Sequence, residues 1–275
     1  MMGERKDRRA EEIAALRAGI DLGMTLIDTA EMYGEGASET LIGEAITGLR
    51  NEVFLVSKAY PQNASAKRLP RSCEASLQRL GTDRLDLYLL HWRGSVPLVE
   101  TVEAMHNLQR EGKIRHWGVS NLDTDDMEEL IEAGGSDCVT DQILFNLTRR
   151  GPEHDLLAWL TSRRMTVLAY SPVEQGRLLG NPQLASLAAN SGLTPAQLSL
   201  AWVLRQPGVI AIPKASTVEH VRENATAAEI QLDAATVAAL DAIFPAPANA
   251  ARWRCCSYRA FARHSEGRDD ELWLR

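Results

Sequence analysis

Short apolar runs alternate along this chain with longer stretches whose apolar residues recur at helical spacing. The stretch GMTLIDTAEMY, residues 23 to 33, sets the pattern. Leu26 and Ile27 belong to a run apolar enough to be covered on both faces, as strands of parallel sheets are. The run ends on a carboxylate, Asp28, and a phenol, Tyr33, stands in the loop beyond it. Upstream, Ile13, Leu16 and Ile20 predict a helix from Ala10 to Leu22 that Gly23 closes. Downstream, Leu41, Ile42, Ala45 and Ile46 predict a helix from Ser38 to Leu49, with Ser38 as its cap, and Val53 to Ser57 reads as a strand ending at Lys58. The unit then repeats. A helix from Ser65 to Leu80 leads to a strand from Leu85 to Leu90 ending at His91, and a helix carrying Leu98, Val102, Met105 and Leu108 leads to a strand from Ile114 to Val119 ending at Ser120 and Asn121. A helix with Met127, Leu130 and Ile131 precedes a strand from Cys138 to Leu144, and one around Leu156, Leu157 and Leu160 precedes a strand from Thr166 to Ala169 ending at Tyr170 and Ser171.

After Tyr170 the rhythm loosens into SPVEQGRLLGNP, a Gly/Pro-containing loop of a length usually reserved for function. Thr194, Pro195 and Gln197 then predict a helix opened by a capping box. The strand Gly208 to Ile212 ends in Pro213 and Lys214, and two more helices carry the pattern to Phe244.

Alternating strands and helices mean an α/β fold with a parallel sheet. Asp28, Lys58, His91, Asn121, Gln142, Tyr170 and Lys214 fall at or near the ends of seven different strands, as expected of a barrel with one mouth. An open sheet would gather them at one switch point, and no G-x-G-x-x-G follows the first strand. The fold expected is a (β/α)8 TIM barrel whose first strand is missing, because only MMGERKDRR precedes the first helix. Either the barrel is incomplete or the sequence begins inside a longer protein. Such a barrel exposes two edges and part of its core, which predicts poor folding. Residues 1–247 form the expected barrel domain, and 248–275, without amphipathic period, an irregular and loosely docked tail.

Composition narrows the function. The 275 residues are 45% hydrophobic and 24% charged, which is ordinary for a globular domain. A net charge of -7 with no basic cluster argues against nucleic acid. No apolar run approaches the roughly 18 residues of a membrane span, and no secretory segment opens the chain. Cys73, Cys138, Cys255 and Cys256 lack metal-site spacing, so reduced thiols, a cytoplasmic setting and no metal are expected.

Taken singly, Lys58 reads as a snorkelling surface lysine, His91 as a core imidazole and Tyr170 as a core aromatic. Together at the strand ends they suggest proton chemistry. A buried ammonium beside Tyr33 favours phenolate and lowers the phenol's pKa, and Asp28 keeps the lysine protonated. His91 can aim a carbonyl oxygen, and Tyr170 offers a face for stacking.

The segments LIDTAEMYG, VFLVSK, LDLYLLHW, KIRHWGVSN, DQILFN, VLAYSP and IAIPKAS resemble the aldo-keto reductases, NADPH-dependent oxidoreductases on a (β/α)8 barrel, over roughly Ala10 to Pro247. Among them the chain looks most like bacterial reductases of methylglyoxal and other small aldehydes. The resemblance implies Tyr33 as proton donor, Lys58 and Asp28 as the residues that tune it, and His91 as the residue that orients the carbonyl. It further implies that Ser120, Asn121 and Gln142 grip the nicotinamide carboxamide over the ring of Tyr170. Ser171, Pro172, Gln175, Gly176 and Leu178 correspond to the loop covering the pyrophosphate, Lys214 and Ser216 to the 2'-phosphate contacts, Glu223 and Asn224 to the adenine end, and Trp92 to the substrate pocket.

The chain departs from that pattern in three places. His220 stands where many members have arginine, which implies a milder preference for NADPH over NADH. Asp141 replaces a common asparagine, and the Gly-Thr-Trp-like turn of the family's first strand is missing; MGE resembles the residues after it. The activity expected is reduction of a small carbonyl compound by a monomer. The alternatives are a non-catalytic barrel binding cofactor or partner, and a barrel lyase or isomerase.

Overall fold

A computed structural model describes residues 2–247, so the expected tail lies outside the described residues. The elements run α1 (Arg9–Asp21), β1 (Leu26–Asp28), α2 (Ala37–Ala45), β2 (Phe54–Ala59), α3 (Leu69–Leu80), β3 (Leu85–Leu90), α4 (Leu98–Arg110), β4 (Ile114–Ser120) and α5 (Thr124–Glu132). They continue with β5 (Thr140–Leu144), α6 (Leu156–Ser162), β6 (Thr166–Tyr170), α7 (Pro182–Asn190), α8 (Pro195–Leu204), β7 (Val209–Ile212), α9 (Val218–Ala227) and α10 (Ala234–Ile243). All strand pairs are parallel, in sequence order from β1 to β7.

The result is a nearly closed barrel with its first strand missing. Among the described residues β1 and β7 do not pair with each other, and Ile210 on β7 is 40% exposed. Outside this gap, α1 packs directly on α9, with Gly19 bringing the backbone close to Val221. The helical ring therefore closes where the sheet does not.

Side chains alternate across a strand, so register decides which residues meet inside. Asp28 is level with Val56, Val56 with Leu87, Lys58 with Leu89, Ser120 with Gln142, and Tyr170 with Ile212. Val56, Leu87, Leu89 and Leu168, with Leu26 and Phe54 against them, form a small plug inside the barrel. The polar residues of the same parity stand above that plug. The other parity builds the large core between sheet and helices, where Trp117, Tyr88, Phe145 and Trp202 are fully buried.

Several boundaries differ from the sequence reading. Ser38 is not a cap: Gly36 holds that position with φ 88°, and the Ser38 hydroxyl, buried in the first turn, accepts from Thr29 Oγ1 at 3.2 Å. That helix ends at Ala45, with Gly48 in a left-handed turn soon after, rather than at Leu49. The next helix starts at Leu69 rather than Ser65, and β5 at Thr140 rather than Cys138. The capping box of Thr194 and Gln197 is present as expected.

Gly43 lies where α2 crosses the end of α3, and a β-carbon there would meet the Leu80 carbonyl oxygen at 2.7 Å. Gly43→Ala is expected to cost about 1–3 kcal/mol, as overpacking of a tight interface does. Urea unfolding followed by circular dichroism will show a lower midpoint; an unchanged midpoint refutes the tight crossing.

Candidate active site

Beyond β1 the chain stays attached to the sheet for a few residues, Thr29 N–H donating to Val56 O and Glu31 N–H to Lys58 O. It then turns through Gly34, Glu35 and Gly36, all at positive φ. The Glu31 carboxylate anchors this turn by accepting from Tyr60 N–H, Asn63 Nδ2 and Ser72 Oγ. Tyr33 is thereby swung back over the barrel mouth.

There it meets Lys58, whose side chain is 0% exposed. The ammonium donates to Asp28 Oδ2 at 2.7 Å, Thr29 O at 2.8 Å and Tyr33 Oη at 3.4 Å, and its nitrogen lies 4.9 Å from the Tyr33 ring centre. An ammonium has three N–H groups, and each has a partner here. Asp28 Oδ1 accepts in turn from Gln142 Nε2 at 2.7 Å. Four side chains from β1, its loop, β2 and β5 thus form one connected chain.

Burial opposes the charge on Lys58, but Asp28 and Tyr33 outweigh it and hold its pKa above the ordinary lysine value. For Tyr33 the sequence expectation of a lowered pKa is corrected. Burial dominates and raises it, Lys58 pulls it down, and Asp28 pushes it up again. Lys58 limits the rise rather than reversing it.

His91 follows β3 with its N–H donating to Ala59 O. Its ring stands edge to face with Tyr33 at 5.7 Å and 4.9 Å from Trp92. Burial first, and the Lys58 charge second, drive its pKa well below the usual histidine value. It is neutral at pH 7 and able to donate one N–H.

A second cluster lines the adjoining wall. Ser120 Oγ donates to Gln142 O, Asn121 Nδ2 to Ser120 Oγ and His91 O, and Tyr170 Oη to Asn121 Oδ1 at 2.7 Å. Asn121 holds φ 63°, which turns its side chain back over the mouth. Asp141 faces the other way, into the helix layer, fully buried, and burial raises its pKa well above the carboxylate range.

These walls belong to one cavity of about 1810 Å³ that extends from Tyr33, His91 and Trp92 past Gln142 and Tyr170 to Lys214. It also runs down the gap between β1 and β7. Ser171, Pro172, Gln175, Gly176, His220, Glu223 and Asn224 line it as well, whereas Leu178 and Ser216 do not. Leu178 is 3% exposed and belongs to the core; the neighbouring Leu179 faces the cavity instead. Sequence reasoning missed Arg149, Arg177 and the role of Glu174. Burial works against the Glu174 charge, yet Arg149, Arg177 and Asn146 hold its carboxyl below the usual range. The sequence signal is the pair Arg149 and Arg150, which lies several residues beyond the end of β5.

The cavity therefore offers amide and hydroxyl groups beside an aromatic ring at one end, a loop with positive φ at Ser171, Glu174, Gln175 and Gly176 in the middle, and an exposed ammonium at the other. An extended ligand with an amide-bearing ring and an anionic far end fits that distribution.

Comparison with known proteins gives a consistent result. Residues 2–244 match the model of the aldo/keto reductase family. The chain is 53% identical over 252 residues to methylglyoxal reductase YeaE of Escherichia coli K12, covering 90% of this chain and 89% of that protein. It superposes on crystal structures of an aldo/keto reductase from Klebsiella pneumoniae, one in complex with NADP and acetate (TM-score 0.88) and one with NADPH (TM-score 0.89). Both are 53% identical to it, with 90% of each chain covered.

Because Lys58 lowers what burial raises, Lys58→Met is expected to move the Tyr33 titration to still higher pH. Phenolate absorbance, taken as the difference from the same protein carrying Tyr33→Phe, measures it. An unmoved titration would show that the ammonium does not act on the phenol.

Proposed function

The chain belongs to the aldo/keto reductase family, and from that premise we propose that it reduces small aldehydes and ketones such as methylglyoxal with NADPH. The observation that carries this reading is the fully buried Lys58 ammonium bridging Asp28 and the Tyr33 hydroxyl at the floor of the cavity. A carboxylate, ammonium and phenol connected this way beside a neutral imidazole suit delivery of one proton to a carbonyl oxygen.

The residues present fit the cofactor. Ser120, Asn121 and Gln142 supply the donors and acceptors a carboxamide needs, Tyr170 the ring face, Ser171 to Gly176 the loop, and Lys214 a cation for the 2'-phosphate. When bound, the nicotinamide supplies hydride to the carbonyl carbon. The chain does the rest. His91 donates its N–H to the carbonyl oxygen and fixes its position, Tyr33 gives that oxygen its proton, and Lys58 stabilises the phenolate left behind. NADPH, a proton and the carbonyl compound become NADP and an alcohol, and solvent restores the phenol proton. Trp92 walls the substrate end and favours small carbonyl compounds. The same reading takes the protein as a cytoplasmic monomer with the barrel as its one domain.

Reduction needs protonated Tyr33, so activity is full below its pKa and falls as pH rises through it. Since burial raises that pKa, the fall is expected above the ordinary tyrosine value. Tyr33→Phe should cut kcat by about 10²–10⁴-fold while NADPH still quenches tryptophan fluorescence. Quenching without turnover in the unaltered chain would favour the non-catalytic barrel, and turnover surviving in Tyr33→Phe would remove the proton donor. In a second measurement, Lys214→Met is expected to weaken NADPH binding and leave NADH binding nearly unchanged, since only the former carries the 2'-phosphate. Equal losses for both would place that phosphate elsewhere.

A further inference from the structure

The orientation of Gln142 follows from its partner. Asp28 is paired with a buried ammonium and is ionised, so its Oδ1 can only accept. The Gln142 amide nitrogen must therefore face Asp28, at 2.7 Å, and its carbonyl oxygen must face away. The side chain is 2% exposed and lines the cavity, and among the described residues nothing donates to that oxygen. The Lys58 and Asp28 groups of this linked set are engaged. Lys58 has no N–H to spare, and each Asp28 oxygen already accepts from one neighbour.

We propose that Gln142 is a positioning residue that couples the carboxamide seat to proton donation: its N–H holds Asp28 while its carbonyl oxygen is left to accept from the nicotinamide carboxamide. This rests on the reductase reading above and assigns Gln142 a second task within it. An amide whose oxygen accepts a hydrogen bond becomes a stronger donor through its nitrogen. Seating the carboxamide thus draws more charge from Asp28. Asp28 raises the Tyr33 pKa, so weakening its field lowers that pKa, and the phenol becomes a better acid when the cofactor is in place. The charged and titratable groups around Tyr33 are Asp28 on β1, Lys58 on β2 and His91 after β3; from the far side Gln142 on β5 brings only a dipole.

The test compares two quantities in the same protein: the Tyr33 titration of the free chain, by phenolate absorbance, and the alkaline limb of kcat, which reports the loaded enzyme. In the unaltered chain the limb is expected a few tenths of a unit below the free titration, the size of a cooperative strengthening of one bond. In Gln142→Met, which removes both contacts at similar length, the Kd for NADPH read by tryptophan fluorescence should rise about tenfold, as loss of one hydrogen bond predicts. The two pH values should also draw together. A raised Kd with the gap intact makes Gln142 a grip and overturns the coupling, as does an unchanged Kd. Gln142→Glu keeps the volume and serves if the Met variant does not fold. Its carboxylate faces Asp28 at hydrogen-bond distance, and the two cannot both ionise freely. NADPH binding should then weaken with rising pH across the pair's titration, and a Kd that does not vary with pH overturns the proposal. Tyr33→Phe runs alongside: if it retains turnover, the reductase reading itself fails, whereas if it is inactive and the Gln142 variants show no coupling, only this inference does.

Discussion

A lysine ammonium with no access to water must be surrounded, and most of this site follows from surrounding Lys58. An isolated charge in so dry a place would neutralise. Lys58 keeps its proton because a carboxylate, a backbone carbonyl and a phenol meet its three N–H groups. Those groups come from the end of β1, the residue after it and the turn beyond. The path of the chain from Asp28 to Tyr33 is in effect the coordination shell of one nitrogen. Removing one partner from such a buried pair costs several kcal/mol, so the same contacts that tune acidity also hold the turn to the sheet.

Register supplies the second constraint. Asp28, Ser120, Gln142 and Tyr170 line one cavity, with Lys58 buried against Asp28 and Tyr33, because all five share a parity with the apolar plug of Val56, Leu87, Leu89 and Leu168. A one-residue slip in any strand would turn its site residue into the helix layer. Asp141, one residue from Gln142, shows the consequence: its carboxyl is enclosed in the outer core, and burial raises its pKa.

Much of this was legible in the sequence because strand ends are marked by abrupt changes from apolar to polar. Asp28, His91, Asn121 and Tyr170 announce themselves in that way. What stayed hidden depends on three-dimensional proximity. Nothing in the spacing of Asp28 and Gln142 says that they touch, and a charge count cannot tell that Glu174 gathers Arg149 and Arg177. The direction of the Tyr33 shift was misjudged because proximity to an ammonium can be guessed from motifs, whereas the depth of burial that outweighs it cannot. Leu178 and Leu179 exchanged roles for a smaller reason: in a loop with left-handed residues, neither helical nor strand periodicity says which of two adjacent leucines faces in.

The seam where α1 meets α9 behaves differently from the rest of the ring. Among the described residues the rest of the wall has two plies, strand bonded to strand and helix packed outside, but at this seam it has one. A split hoop yields at its split, so on warming, α1 and β1 should part from α9 before the remaining strands lose their partners. Asp28 and the turn bearing Tyr33 leave with β1. The protein should therefore stop working while most of its ellipticity is intact, and the temperature of inactivation, rather than that of melting, sets its useful range.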